Sequence, residues 1–164
     1  MKAYKQFRID KSGNLHPLFV FAGEVIRIGE WLTAKAGDRD QKGKVKSKLG
    51  PLAYRPGWHL SEIPYAPHIG VKENGVVRYM KPDTVWAECE VYDKYDYTNC
   101  TKMTRNGLDI LPEDGFYWFK TNPNAYGRWL IAHKIKVNRI LTDAEVEDIC
   151  WQQFGIHAQE RKAV

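Results

Sequence analysis

The segment Arg55-Pro56-Gly57-Trp58-His59, with Ser61 and then Ala66-Pro67-His68 just after, concentrates the chemistry of this 164-residue chain. A guanidinium, an indole, a hydroxyl and two imidazoles sit there, held between prolines and a glycine. Proline fixes φ and glycine opens conformations closed to other residues, so the stretch reads as stiff backbone presenting planar and titratable groups. Histidine titrates closest to neutrality, which suits a neutral His59 to act as a general base or to hold a ribose hydroxyl. Arg55 offers a planar fork for phosphate or carboxylate, and Trp58 a stacking surface. The plainer alternative for His59 is a ring bonded to backbone. His68 could join His59 on a metal, but neither HExxH spacing nor a cysteine partner accompanies it, so no metal site is expected.

Two further sets of groups need strands to bring them to this segment. Tyr4 and Arg8 share one face of the first strand, where arginine could grip a phosphate and tyrosine could stack on a base. Their alternative is a surface salt bridge. Glu88 and Glu90 share a strand face with Trp86 and Tyr92. Paired carboxylates beside an indole can divide acid and base roles, whereas a half-exposed strand simply turns its acids to water.

Period-2 alternation gives a strand over residues 3–9, then a turn at Lys11-Ser12-Gly13-Asn14 and an apolar run from Leu15 to Phe21, together a hairpin. Residues 57–61 read as a short strand with Trp58 and Leu60 on one face and His59 and Ser61 on the other. Glu73-Asn74-Gly75 is a hairpin turn between short strands, the second over 76–80. In residues 84–92, Val85, Ala87, Cys89 and Val91 oppose Trp86, Glu88, Glu90 and Tyr92. Residues 93–114 are an irregular excursion or a lid. Strand character returns over 116–120 and 128–141, the latter placing Trp129, Ile131, His133, Ile135 and Val137 on one face. Thr142-Asp143-Ala144-Glu145 is a capping box opening a helix that stops at Gly155. The expectation is an α+β fold: a mainly antiparallel curved sheet with one C-terminal helix and long loops. Residues 1–155 form a single globular domain and 156–164 a frayed tail.

The formal charge of +5 favours anionic partners, and its placement matters more than its size. Lys35, Arg39, Lys42, Lys44, Lys46 and Lys48 crowd one glycine-containing stretch, 35–48, which reads as a solvated basic loop rather than a nucleic-acid arm. Cys89, Cys100 and Cys150 lack the spacing of a zinc site or a disulfide framework. Residues 1–6 contain no apolar targeting region, and no apolar run has membrane-spanning length, so a cytoplasmic chain with no membrane partner is expected.

The combination Tyr4-Lys5-Gln6-Phe7-Arg8, residues 13–19, Arg55-Pro56-Gly57-Trp58-His59 and Trp86-Ala87-Glu88-Cys89-Glu90 resembles small uncharacterised proteins encoded in bacteriophage and prophage genomes, which implies a host-cell cytoplasmic setting but no activity. More loosely, the strand series is similar to the ADP-ribosyltransferase pattern, although the Ser-Thr-Ser and His-Gly-Thr signatures of that family are missing. That resemblance implies NAD or a related nucleotide as ligand, with Tyr4 or Arg8, His59, and Glu88 or Glu90 at the matching positions. His59 and Glu88 would then be catalytic, and Tyr4, Arg8, Arg55, Trp58, Ser61, His68 and Glu90 ligand-binding. The competing expectation is a non-enzymatic phage protein that binds nucleic acid or a host protein through basic and aromatic surface.

Overall fold

A computed structural model of the chain describes residues 1–47, 50, 52–66, 71–73, 76–78, 83–119 and 126–158. At the centre of its sheet, β1 (Lys2–Ile9) pairs antiparallel with β9 (Thr84–Val91) from Lys2↔Glu90 to Arg8↔Thr84. Alternation gives each strand two apolar faces. Ala3, Phe7, Ala87, Cys89 and Val91 enter one buried cluster, while Tyr4 and Trp86 enter another on the opposite side. The faces expected for β9 are the ones observed.

The other described strands are β2 (Leu15–His16), β3 (Trp31–Thr33), β4 (Lys44–Val45), β5 (Leu52–Ala53), β6 (Trp58–Ser61), β7 (Val71–Glu73), β8 (Val76–Arg78), β10 (Tyr95–Asp96), β11 (Gly115–Trp118), β12 (Trp129–Ala132) and β13 (Lys134–Ile140), and helix α1 (Asp143–Phe154) follows them. The main sheet runs β10-β11-β12-β6-β1-β9-β13-β3, with β2 also on β1, and every pairing is antiparallel except β10 with β11. The pairs β4–β5 and β7–β8 stand apart from it. This is the α+β arrangement expected, a mainly antiparallel sheet with one C-terminal helix. The hydrogen-bonded path has two ends, β10 and β3, and so is not a closed barrel.

Residues 129–140 do not form one strand. The chain bends at His133, whose N–H donates to the Gly115 carbonyl while its own carbonyl accepts from Ala34. Ala132 pairs with Trp58 and Phe116, whereas Ile135 pairs with Val91 and Leu32. The bend resets the alternation. Leu130 and Ala132 share the inner cluster with Ile135 and Val137, while Ile131 packs with Leu108 and Tyr117 outside it. The single face expected from Trp129 to Val137 is therefore wrong, because period-2 counting cannot be carried through a bend.

Helix α1 begins as expected. The Thr142 hydroxyl accepts from the Glu145 N–H, and the Glu145 carboxylate accepts from the Thr142 N–H. Gly155 ends the helix in the left-handed conformation, with φ of 63°. Val146 and Cys150 bury against Tyr4, Trp86 and Leu141, and the buried Ala158 keeps the chain packed beyond the helix. Within 93–114, Leu108 is likewise buried, so that stretch packs onto the outer face of β11 and β12.

The hairpin expected at residues 11–14 forms, but its second strand stops at His16 rather than reaching Phe21, since Pro17 supplies no N–H to a ladder. A clip replaces the ladder. His16 meets the Glu24 carbonyl through Nδ1 at 2.7 Å and the Asp10 carboxylate through Nε2 at 2.8 Å. Asp10 also accepts from the backbone N–H groups of Ser12 and Asn14. Chiefly His16, and then Asn14, hold the Asp10 carboxyl down to about 2, from 3.8. A depressed carboxyl stabilises the fold above its unfolded value and loses that contribution as pH falls through the folded one. In urea titrations, the wild type should lose stability between about pH 4 and pH 2 more steeply than Asp10→Asn. Parallel acid limbs would exclude this role.

Candidate functional site

Strand β6 stays with β12 along its whole length but meets β1 only at Tyr4↔Ser61. Farther along, β2 takes the same edge of β1 at Arg8↔His16. Between them opens a cleft of about 700 Å³. Consecutive residues Lys5 and Gln6 of β1, and Trp58 and His59 of β6, all line it. Neighbours on a strand point to opposite faces, so a space reached by both must run along the strand edges. The site is a split in the sheet. Residues 17–21 and 33–36 wall it on one side with Val45 and Leu52 of the β4–β5 pair, and Tyr65, Phe119, Tyr126 and Trp129 line it elsewhere.

Glycine explains how the chain enters β6. Gly57 has φ of 135°, and a Cβ there would lie 2.5 Å from Ile131 Cγ2 and 3.1 Å from the Ala132 carbonyl. Only glycine lets this backbone press so closely on β12. Arg55, two residues earlier, lays its guanidinium over the Phe119 ring at 4.5 Å, and its buried Nε has no hydrogen-bond partner among the described residues.

His59 Nε2 lies 3.0 Å from the Arg55 carbonyl. A carbonyl can only accept, so Nε2 carries the proton and Nδ1 of the neutral ring is an acceptor. The ring keeps surface open to the cleft, yet protein encloses the cleft around it. That enclosure lowers its pKa; the Arg55 carbonyl opposes the effect, and the Lys5 and Arg55 charges reinforce it. The imidazole is therefore neutral near pH 7. Lys5 Nζ donates to the His59 carbonyl at 2.9 Å and sits over the Trp58 and Phe7 rings at 5.9 and 5.6 Å. Although the side chain retains some solvent contact, loss of water around its ammonium pulls the pKa down, to about 8. Neither Lys5 nor Arg55 has a carboxylate partner among the described residues. Glu24, the carboxylate lining the cleft among those residues, is taken by Lys35.

The structure thus gathers Tyr4, Arg55, Trp58 and His59 at one cleft, and the other expected positions fall elsewhere. Arg8 donates to the Ala22 carbonyl at 2.9 Å and anchors the loop before β3. Ser61 is buried, its hydroxyl donating to the Ile63 carbonyl at 2.5 Å. Glu90 accepts from the Met1 ammonium at 2.7 Å. Glu88, expected to be catalytic, is buried beneath Lys2 at 3.2 Å and Arg139 at 3.2 Å; Arg139 also binds Glu145 in the first turn of α1. It ties the sheet to the helix and does not line the cleft, because the even-numbered face of β9 is covered by α1 at that level. His68 lies outside the described residues. Lys5 and Gln6 were not singled out from sequence. Their signal was a pair of polar residues between Tyr4 and Phe7, in a strand buried on both faces.

Compared with protein-family models, curated proteins and solved structures, the chain matches none. The geometry therefore carries the functional argument alone. If Glu88 is structural, Glu88→Gln should lower stability in urea by about 1 kcal/mol, the order expected for ion pairs whose partners are half exposed. Affinity for any cleft ligand should stay within twofold of wild type. A normal stability with lost binding would return Glu88 to the site.

Proposed function

We propose that the protein binds a nucleotide in the split between β1 and β6, with the phosphate on Lys5 and Arg55 and the base among the aromatic walls. The supporting observation is the charge balance of the cleft. Two cations reach it without a carboxylate partner among the described residues, one of them partly stripped of water. Buried and half-buried charges are ordinarily paired, so such an arrangement fits a site whose counter-ion arrives with the ligand. The aromatic lining suits a planar group, and the neutral His59 presents Nδ1 to a sugar hydroxyl. The reading is compatible with the phage accessory role implied by sequence resemblance.

An ADP-ribosyltransferase step has less support. That chemistry would use a strand glutamate against the developing positive charge, and Glu88 is held by Lys2 and Arg139 instead. Binding, rather than group transfer, is what the side chains favour. Nucleic-acid binding is the second reading. It draws on Lys42, Lys44 and Lys46, which are exposed on and beside β4, the strand whose Val45 lines the cleft.

Tryptophan-fluorescence titration and thermal shift with AMP, NAD, inorganic phosphate and a short oligonucleotide separate these readings. A nucleotide should raise the midpoint, and Arg55→Ala and Lys5→Met should each weaken it at least tenfold, as expected for a lost charged hydrogen bond. A response to the oligonucleotide alone, falling steeply with salt and with lysine replacement at 42, 44 and 46, would favour the second reading. A flat response to all four would sink both.

A further inference from the structure

We infer that Gln6 reads the base of the bound nucleotide and selects one with an exocyclic amine, such as adenine or cytosine, over one with a carbonyl there. The inference rests on the nucleotide reading above and adds a specificity to it. Gln6 lines the cleft where β6 has left β1, and it is 5% exposed. One end of its amide is fixed: Nε2 donates to the Thr84 hydroxyl oxygen at 3.0 Å. The other end, Oε1, has no hydrogen-bond partner among the described residues and is closed to water.

A buried carbonyl without a donor is both costly and rare in folded proteins. Where one borders a ligand cleft, the missing donor has an obvious source in the ligand. The last torsion of a glutamine is broad and twofold, so the amide can pivot about its Thr84 contact to offer Oε1 to a ligand edge. The neighbours shape that edge. Tyr4 lies two residues away on the same face of β1, and Trp86 sits directly opposite in register on β9; both line the cleft. Both are largely buried and leave the amide open to approach only from the cleft side, by the rim of a planar base. The N6 amine of adenine or the N4 amine of cytosine donates to Oε1, whereas the corresponding carbonyl of hypoxanthine or uracil sets two acceptors face to face.

AMP and IMP differ only at C6 and the adjoining N1 of the base, an amine beside a bare nitrogen in one and a carbonyl beside an N1–H in the other, which makes them the sharpest pair of probes. In fluorescence titrations of the full chain, AMP should bind about tenfold more tightly than IMP, the discrimination expected for an amide reading a base edge. Gln6→Met keeps the length of the side chain and removes the acceptor. It should bring the two affinities within about twofold of each other by weakening AMP, with IMP nearly unchanged. Equal affinity for AMP and IMP in the wild type would overturn the inference and leave the nucleotide reading standing. A preference for AMP that survives Gln6→Met would also overturn it. Failure of both nucleotides to bind would overturn both. The wild-type comparison needs no variant, so an unstable Gln6→Met protein would still leave a decisive result.

Discussion

His133 joins two strands that the hydrogen-bonded order places four steps apart, β12 and β13. Ala132 and Lys134 are separated by one residue and can span at most ~7 Å. Four strand spacings across a flat sheet would be ~19 Å. The two requirements are compatible only if the sheet bends back sharply, so that β6, β1 and β9 bridge the two halves of one continuous chain segment. The inner cluster records the outcome. Leu60, Phe116, Leu130 and Ala132 from one half share a core with Ala3, Phe7, Cys89, Ile135 and Val137 from the other.

The cleft is a consequence of that bend. β6 is committed to β12 and β1 is committed to β9, each along its full run, so the seam between β6 and β1 is where the sheet can part. It does so after Tyr4↔Ser61, and the side chains at the parting edges reach one space whatever face they project from. Lys5 thus reaches a cleft from a strand whose neighbours Ala3 and Phe7 are wholly buried. Its aliphatic stem can lie along aromatic rings while its ammonium donates, among the described residues, to the His59 carbonyl alone. Arg55 reaches the cleft from the segment before β6, where Gly57 permits the close approach to β12. His59 lies between them, bonded to one through its carbonyl and to the other's carbonyl through Nε2.

Much of this was legible in the residues. The capping box at Thr142 and the left-handed stop at Gly155 are local interactions, set by residues within a few positions of each other, and they form as read. The two faces of β9 follow from strict alternation in an unbroken strand. What could not be read is where alternation is interrupted. Nothing in Ala132-His133-Lys134 announces a change of partner strand, so the expected face from Trp129 to Val137 was carried through a bend. The site shows the same division. Arg55, Trp58 and His59 stood out because proline and glycine frame them, and Tyr4 because it shares a strand face with Arg8. Glu88 looked chemically suited, but its ties to Lys2 and Arg139 depend on pairings across the sheet and onto the helix. Lys5 and Gln6 passed as ordinary polar positions because their significance comes from the split beside them.

In the proposed nucleotide site, Lys5 is a cation kept short of water, with no carboxylate partner among the described residues, until a ligand supplies the anion. The most direct test is an NMR titration of the Lys5 side chain, with Lys5→Arg to assign its signal. In the free protein it should titrate near 8 rather than at 10.5. Saturating AMP should move that titration upward, because a phosphate beside the ammonium favours its charged form. A Lys5 that titrates at the ordinary lysine value, or one that stays put when nucleotide is added, would contradict the account.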